Sequence, residues 1–202
     1  MIKPIKEWKK VFLDTTVIID FLLSPDRFEK NPSVKQRITA THKLLEYLIS
    51  NPKDEVYFYI SAVTLAELTK IGESGTLDDQ LLELFSGSNI VFVDYTCETA
   101  IDINTNLKKY LPNYSVNQFL GKLESIKKDG GEFYQARQWV NDDLKISSVA
   151  NSLKYIDVVL TGDNKTFVPI ANMMNLPVLY TQNIPFDMFG EVDSGIQITV
   201  AT

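Results

Sequence analysis

Short apolar runs alternate along the chain with segments whose apolar residues recur at helical spacing. Val11–Leu13, Val56–Ile60, Ile90–Val93, Val158–Leu160 and Pro177–Tyr180 are brief runs rich in β-branched, aromatic and leucine residues, which read as strands. After the first run, Val17, Ile18, Phe21 and Leu22 follow Asp14-Thr15-Thr16 at the spacing of one helix face. Val34, Ile38, Leu45, Leu48 and Ile49 form a longer stripe. Asn31-Pro32-Ser33 opens that stripe, with Ser33 and Gln36 as a capping box, and Asn51-Pro52 closes it. Ser61 is placed to cap a helix carrying Val63, Ala66, Glu67 and Leu68. Further helices are expected over Leu77–Phe85, from Thr96 or Asp94 to Tyr110, and over Thr166–Met174. Buried strands alternating with helices predict an α/β fold, a three-layer α/β/α sandwich around a mostly parallel central sheet. In such sheets the reactive groups collect at the carboxyl ends of the strands.

Residues 112–142 break the alternation. Ser115 with Gln118 predicts a capped helix running to Lys128, Asp129-Gly130-Gly131 a stop, and Glu132–Val140 a second helix. We read this stretch as a helical hairpin inserted in a single domain spanning 1–202. Residues 182–202 form a turn-rich C-terminal extension, with Gly195–Val200 as an edge strand.

Composition narrows the chemistry. With 202 residues and 45% hydrophobic positions, the chain can bury a real core without staples. The net charge of −6 disfavours a broad basic surface for duplex DNA but leaves room for a carboxylate nuclease site. One cysteine, Cys97, rules out an internal disulfide and a cysteine-rich zinc site. One histidine, His42, rules out a His-pair zinc motif, and its polar helical setting makes it a poor relay. Lys3, Lys6, Lys9 and Lys10 before an apolar run imitate a signal peptide, but Asp14 and Asp20 interrupt the run and no cleavage site follows. No stretch reaches the roughly 18 apolar residues of a membrane span. The expectation is a cytoplasmic protein acting through carboxylates, hydroxyls and a hard metal, with no membrane partner.

Four acids stand where such a sheet would gather them. Asp14 ends the first strand, Glu67 lies about two turns into the helix after the second, Asp143 begins a helix after the insertion, and Asp163 follows the fourth strand. Mg²⁺ and Mn²⁺ prefer hard oxygen ligands. Each acid also has a plain structural reading. Asp14 fits an N-cap, Glu67 with Thr64 a capping box, Asp143 the first turn of a helix, and Asp163 a Gly-Asp-Asn turn. Asp20 and Asp94 are read as structural.

Four blocks, in order, resemble the motifs of PIN domains. They are Phe12-Leu13-Asp14-Thr15-Thr16-Val17-Ile18-Ile19-Asp20, Ser61-Ala62-Val63-Thr64-Leu65-Ala66-Glu67-Leu68, Asp143-Leu144-Lys145-Ile146-Ser147-Ser148-Val149-Ala150, and Val158-Val159-Leu160-Thr161-Gly162-Asp163. The resemblance spans about residues 11 to 180. It implies a Mg²⁺- or Mn²⁺-dependent ribonuclease with Asp14, Glu67, Asp143 and Asp163 as catalytic and metal-binding residues, and with the Thr16 and Thr161 hydroxyls orienting them. The partners it brings are an RNA substrate, an antitoxin protein if the chain is a VapC-like toxin, and a second copy of the chain. Lys165 stands where the family often has a further acid, and Lys145 where the motif is usually apolar. The insertion makes the chain longer than a compact toxin of this type.

Two other functions compete. One is an inactive module of the same fold that binds RNA or protein. The other is a haloacid-dehalogenase-like phosphatase, which needs a second Asp two residues after the first, where this chain has Thr16. Two further expectations concern particular residues. Lys122, Lys127, Lys128 and Arg137, interleaved with Phe119, Phe133, Tyr134 and Trp139, either hold single-stranded RNA or are solvated on a hairpin closed by its aromatics. Converging carboxylates should raise one another's pKa, with Asp143 in the site and Asp142 outside it.

Overall fold

Alternation along the strands puts Val11 and Leu13 on one face of a sheet and Phe12 on the other. In the computed structural model, which describes residues 2–50, 56–71, 89–111, 115–127 and 133–184, this alternation builds two cores. Val11, Leu13, Phe58, Ile60, Val158, Leu160 and Leu179 pack with Val17, Ile18, Leu44, Leu45 and Leu48 on one side. Phe12 and Val159 pack with Ile146, Val149, Phe167 and Ala171 on the other. The result is the expected three-layer α/β/α sandwich, with an all-parallel sheet.

The strands are β1 (Lys10–Leu13), β2 (Tyr57–Ser61), β3 (Ile90–Val93), β4 (Val158–Thr161) and β5 (Val178–Tyr180). The helices are α1 (Thr15–Leu22), α2 (Pro32–Ser50), α3 (Ala62–Ile71), α4 (Cys97–Tyr110), α5 (Val116–Lys127), α6 (Phe133–Ser152) and α7 (Phe167–Met173). The strand order is β3-β2-β1-β4-β5. The chain therefore builds outward from β1 in one direction, then returns to β1's other side with β4. Leu13 pairs with Leu160, so the carboxyl ends of β1 and β4 lie level. The crevice between them is the topological switch point, where open parallel sheets place their chemistry.

Local signals were refined in three places. Ser33 does not cap α2; the Val34 amide reaches Asn31 Oδ1 at 3.4 Å instead, because Pro32 takes the first helical position. Thr96, not Asp94, caps α4, accepting from the Thr99 amide at 3.2 Å. Asp143 does not begin a helix. It lies inside α6, which runs unbroken from Phe133 to Ser152. The Ser115 cap holds, with its Oγ accepting from the Gln118 amide at 3.1 Å. The expected helix over Leu77–Phe85 and the strand over Gly195–Val200 lie outside the described residues.

The hairpin of α5 and α6 docks through Leu123, Val140 and Leu144 onto Leu107 of α4, Ile170 of α7 and Met174 at the end of α7. His42 is a structural residue. Its Nε2 lies 3.1 and 3.0 Å from the carbonyl oxygens of Asp20 and Leu23, closing the end of α1. Among the described residues no helix is long and apolar enough to cross a membrane.

A candidate active site of three aspartates, a lysine and hydroxyls

Asp14 sits at the N-cap position of α1, yet its side chain makes no capping bond. Its carboxylate is buried, and Oδ2 accepts from Thr16 Oγ1 at 2.6 Å and Thr161 Oγ1 at 2.8 Å. Each hydroxyl also accepts a backbone amide from the turn after β4. The Gly162 N–H donates to Thr16 at 2.7 Å and the Asp163 N–H to Thr161 at 3.0 Å. The two threonines thus tie the carboxylate at the end of β1 to the turn that carries Asp163.

Asp163 does two things at once. Its Oδ1 accepts from the amides of Lys165 (2.7 Å) and Thr166 (3.1 Å), the work of an ordinary turn aspartate. Its Oδ2 accepts from Thr166 Oγ1 at 2.7 Å and from the Lys127 ammonium. Asp143, on the inner face of α6, has Oδ2 2.6 Å from the same Thr166 hydroxyl and 3.5 Å from Lys127 Nζ. Lys127 also donates to Thr166 Oγ1 at 2.8 Å.

Glu67 enters from the side. Its carboxylate accepts from the Thr15 hydroxyl, which also lies 3.2 Å from Thr64 Oγ1. Thr64 lies inside α3, so the Thr64–Glu67 capping box does not form. Glu67 borders an open groove with Val63, Asp94, Tyr95, Gln138 and Lys145. Asp142 borders it too, buried and paired with Lys145 Nζ at 2.7 Å. Lys145, out of place in the sequence motif, is therefore the partner of Asp142. Asp142 thus stands outside the cluster of Asp14, Asp143 and Asp163, as expected, with a partner of its own.

Electrostatics single out Asp143. Its carboxyl is raised to about 8: burial is the largest cause, Lys127 works against it, and Asp14 and Asp163 add to it. Asp14 is raised as well, by burial above all, against its two threonine hydroxyls. Asp163 is held below its ordinary value despite its burial, because Lys127 and Thr166 favour its charged form. Burial disfavours the Lys127 ammonium, but Asp143 and Asp163 outweigh it and hold its pKa above 10.5. The expected mutual repulsion is present, but desolvation is the larger cause. Geometry agrees with a proton on Asp143. Thr166 has one proton for two short carboxylate contacts, so a carboxyl proton must close the other.

Neither a family's sequence model nor a curated relative matches the chain.

Several contacts of the cluster escaped the sequence. Thr166 follows Asp163 by three residues, a local signal of an Asp-centred turn. Lys127, expected either to hold RNA or to be solvated, is not solvated: its side chain is only 22% exposed and turned into the acid cluster. Lys122 and Arg137 are exposed, Phe119 packs against the hairpin core, and Trp139 stays 40% exposed. Lys128 and the side chains of Phe133 and Tyr134 lie outside the described residues.

These shifts set the pH dependence of folding in chelator. Asp143 binds its proton more tightly folded than unfolded, so it costs stability as pH rises from its ordinary value of 3.8 towards about 8. Asp163 and Asp157 have lowered values, so what they contribute is lost as pH falls through the acid range. Stability in chelator is thus expected to peak between these windows and to fall towards pH 8, by up to about 1.4 kcal/mol per pH unit for one proton. Asp143→Asn should flatten the alkaline limb, while Asp26→Asn, at an exposed acid, should leave it intact. Chemical denaturation from pH 4 to 9 measures both, and equal limbs in the two variants would refute the assignment.

Proposed function

We propose that the chain is a PIN-like, metal-dependent ribonuclease. The observation that carries this reading is the meeting of Asp14, Asp143 and Asp163 at the switch point, with one ammonium beside two buried carboxyl groups and one half-buried one. The donors are all oxygen, and burial raises the pKa of Asp143 and Asp14, so their charged forms are costly without a counter-charge. A hard divalent cation would supply one. Among the described residues no three acidic, histidine or cysteine side chains are arranged as a metal-binding set. Asp143 and Asp163 are instead turned to Lys127 and Thr166.

In this reading Asp14, Asp143 and Asp163 hold Mg²⁺ or Mn²⁺, with Glu67 as the fourth acid. The ion would supply activation of water and stabilisation of the attacking and leaving oxygens of a phosphodiester. The chain's own residues do the positioning. Thr16 and Thr161 hold Asp14 Oδ2 in place, Thr15 holds Glu67, and the turn amides fix Asp163. The groove beside Glu67 and Tyr95 is an entry for a single strand. A phosphatase acting through Asp14 lacks its acid/base partner, because the position two residues on is Thr16, whose hydroxyl is held between the Asp14 carboxylate and the Gly162 amide.

A second reading, an inert RNA- or protein-binding module, draws on Lys127, which sits where a divalent ion would be expected. One experiment separates the two. Purified protein is incubated with single-stranded RNA in Mn²⁺ and in excess chelator. Cleavage that needs the metal, leaving 5′-phosphate and 3′-hydroxyl ends, is expected; RNA left whole under both conditions would favour the binding module.

A further inference from the structure

Lys127 is the last residue of α5, on the hairpin, and reaches into a cluster built by β1, α6 and the turn after β4. Leu123, one turn earlier, is buried against the α4, α6 and α7 contacts and anchors the helix end there. Its Nζ meets Asp163 Oδ2, Asp143 Oδ2 and Thr166 Oγ1 together. In the metal site proposed above, those carboxylate oxygens would be ligands of the cation.

We propose that Lys127 is a tethered cation that occupies the place of the divalent ion between Asp143 and Asp163 and must withdraw when the ion binds. This rests on the metal site proposed above and adds an opposition between metal loading and the seating of the end of α5. The physical reason is direct. An ammonium and a divalent ion cannot share Asp143 Oδ2 and Asp163 Oδ2, since both take the same lone pairs and like charges at contact distance repel. Lysine suits the role because its charge is a compact point on a flexible stem, so it can leave by side-chain rotation without unfolding α5. An arginine fork would stay locked to the carboxylates.

The role differs from that of a fixed structural ion pair in a measurable way. A structural pair lost by mutation weakens the fold and leaves metal affinity unchanged or poorer. A competitor lost by mutation weakens the metal-free fold but improves metal affinity.

The test is Mn²⁺ titration by calorimetry on the full chain, comparing wild type, Lys127→Met and Lys122→Met. Lys122 lies on the same helix with its side chain exposed, so it controls for a mere change of net charge. Lys127→Met is expected to bind Mn²⁺ at least tenfold more tightly than wild type, with Lys122→Met unchanged. Affinity equal to or weaker than wild type in Lys127→Met overturns the proposal and leaves the metal site standing. No Mn²⁺ binding by any of the three overturns the metal site and this proposal with it. A second measurement needs no variant. In the wild type, the reactivity of Lys127 Nζ towards an amine-acylating reagent, read by peptide mass spectrometry, should rise severalfold on adding Mn²⁺. Reactivity that stays level or falls while Mn²⁺ is bound shows that the lysine does not leave, and overturns the proposal.

Discussion

Asp14→Asn is expected to reduce Mn²⁺-dependent RNA cleavage by roughly 10²–10⁴-fold, the range a positioned catalytic group contributes. Asp14 is the best fixed of the acids. It lies at the end of the central strand, buried, with two hydroxyls on one oxygen. Asparagine keeps the size of the side chain and an oxygen to accept those bonds, but removes the charge and replaces the other oxygen with a donor. The fold should survive, because neutralising a buried acid with a raised pKa relieves a desolvation cost. Activity and stability should therefore move apart. The comparison is initial cleavage rate on single-stranded RNA beside a thermal melt in chelator. A variant as active as wild type in Mn²⁺ would remove Asp14 from the chemistry.

Arg37→Ala is expected to cost about 3 kcal/mol of stability, the lower end of the range for breaking a buried ion pair. Asp20, read from the sequence as structural, is 1% exposed, and Arg37 reaches it with both prongs, Nε to Oδ2 at 2.7 Å and Nη2 to Oδ1 at 2.8 Å. Burial raises the Asp20 pKa and Arg37 works against that rise through a bidentate contact that favours the carboxylate form. Without it a buried charge is left alone. The lower end applies because solvent reaches about a quarter of the Arg37 side chain. The pair also backs the site. Arg37 Nη1 lies 3.4 Å from the Gly162 carbonyl oxygen, and a Cβ at Gly162 would meet Asp20 Oδ2 at 3.0 Å and Thr16 Oγ1 at 3.2 Å. The turn that carries Asp163 is thus packed directly on this pair. A drop of roughly 10 °C in melting temperature corresponds to the expected loss for a chain of this size. Adding Asp20→Asn to Arg37→Ala should recover part of it, since the stranded charge is then gone. A loss under about 1 kcal/mol in Arg37→Ala would mean the pair behaves as a solvated surface bridge.

What the sequence determined by itself was local. Each strand was legible because a short run of apolar, β-branched residues has few other uses, and each helix because its stripe and caps lie within a few residues of one another. Asp14 and Asp163 were legible as strand-end residues for the same reason, and parallel strands with intervening helices then implied that they face one crevice. Asp143 was placed correctly in the chain but at the wrong point of its helix. Nothing local told that Phe133–Ser152 is continuous across the apparent boundary at 142.

The tertiary structure alone decided which side chains meet. Thr161 and Asp14 are 147 residues apart, Lys127 and Asp163 are 36 apart, and Arg37 and Asp20 are 17 apart. No periodicity or cap reaches over such distances. A lysine near the end of a polar helix reads as solvated, because most such lysines are. Only the docking of α5 through Leu123 turns Lys127 inward, and only the crowding of carboxylates there makes its burial favourable. A charge among apolar neighbours, as at Asp20, shows from sequence that a partner is needed. Which residue answers it depends on how α2 crosses α1, and that is settled by packing.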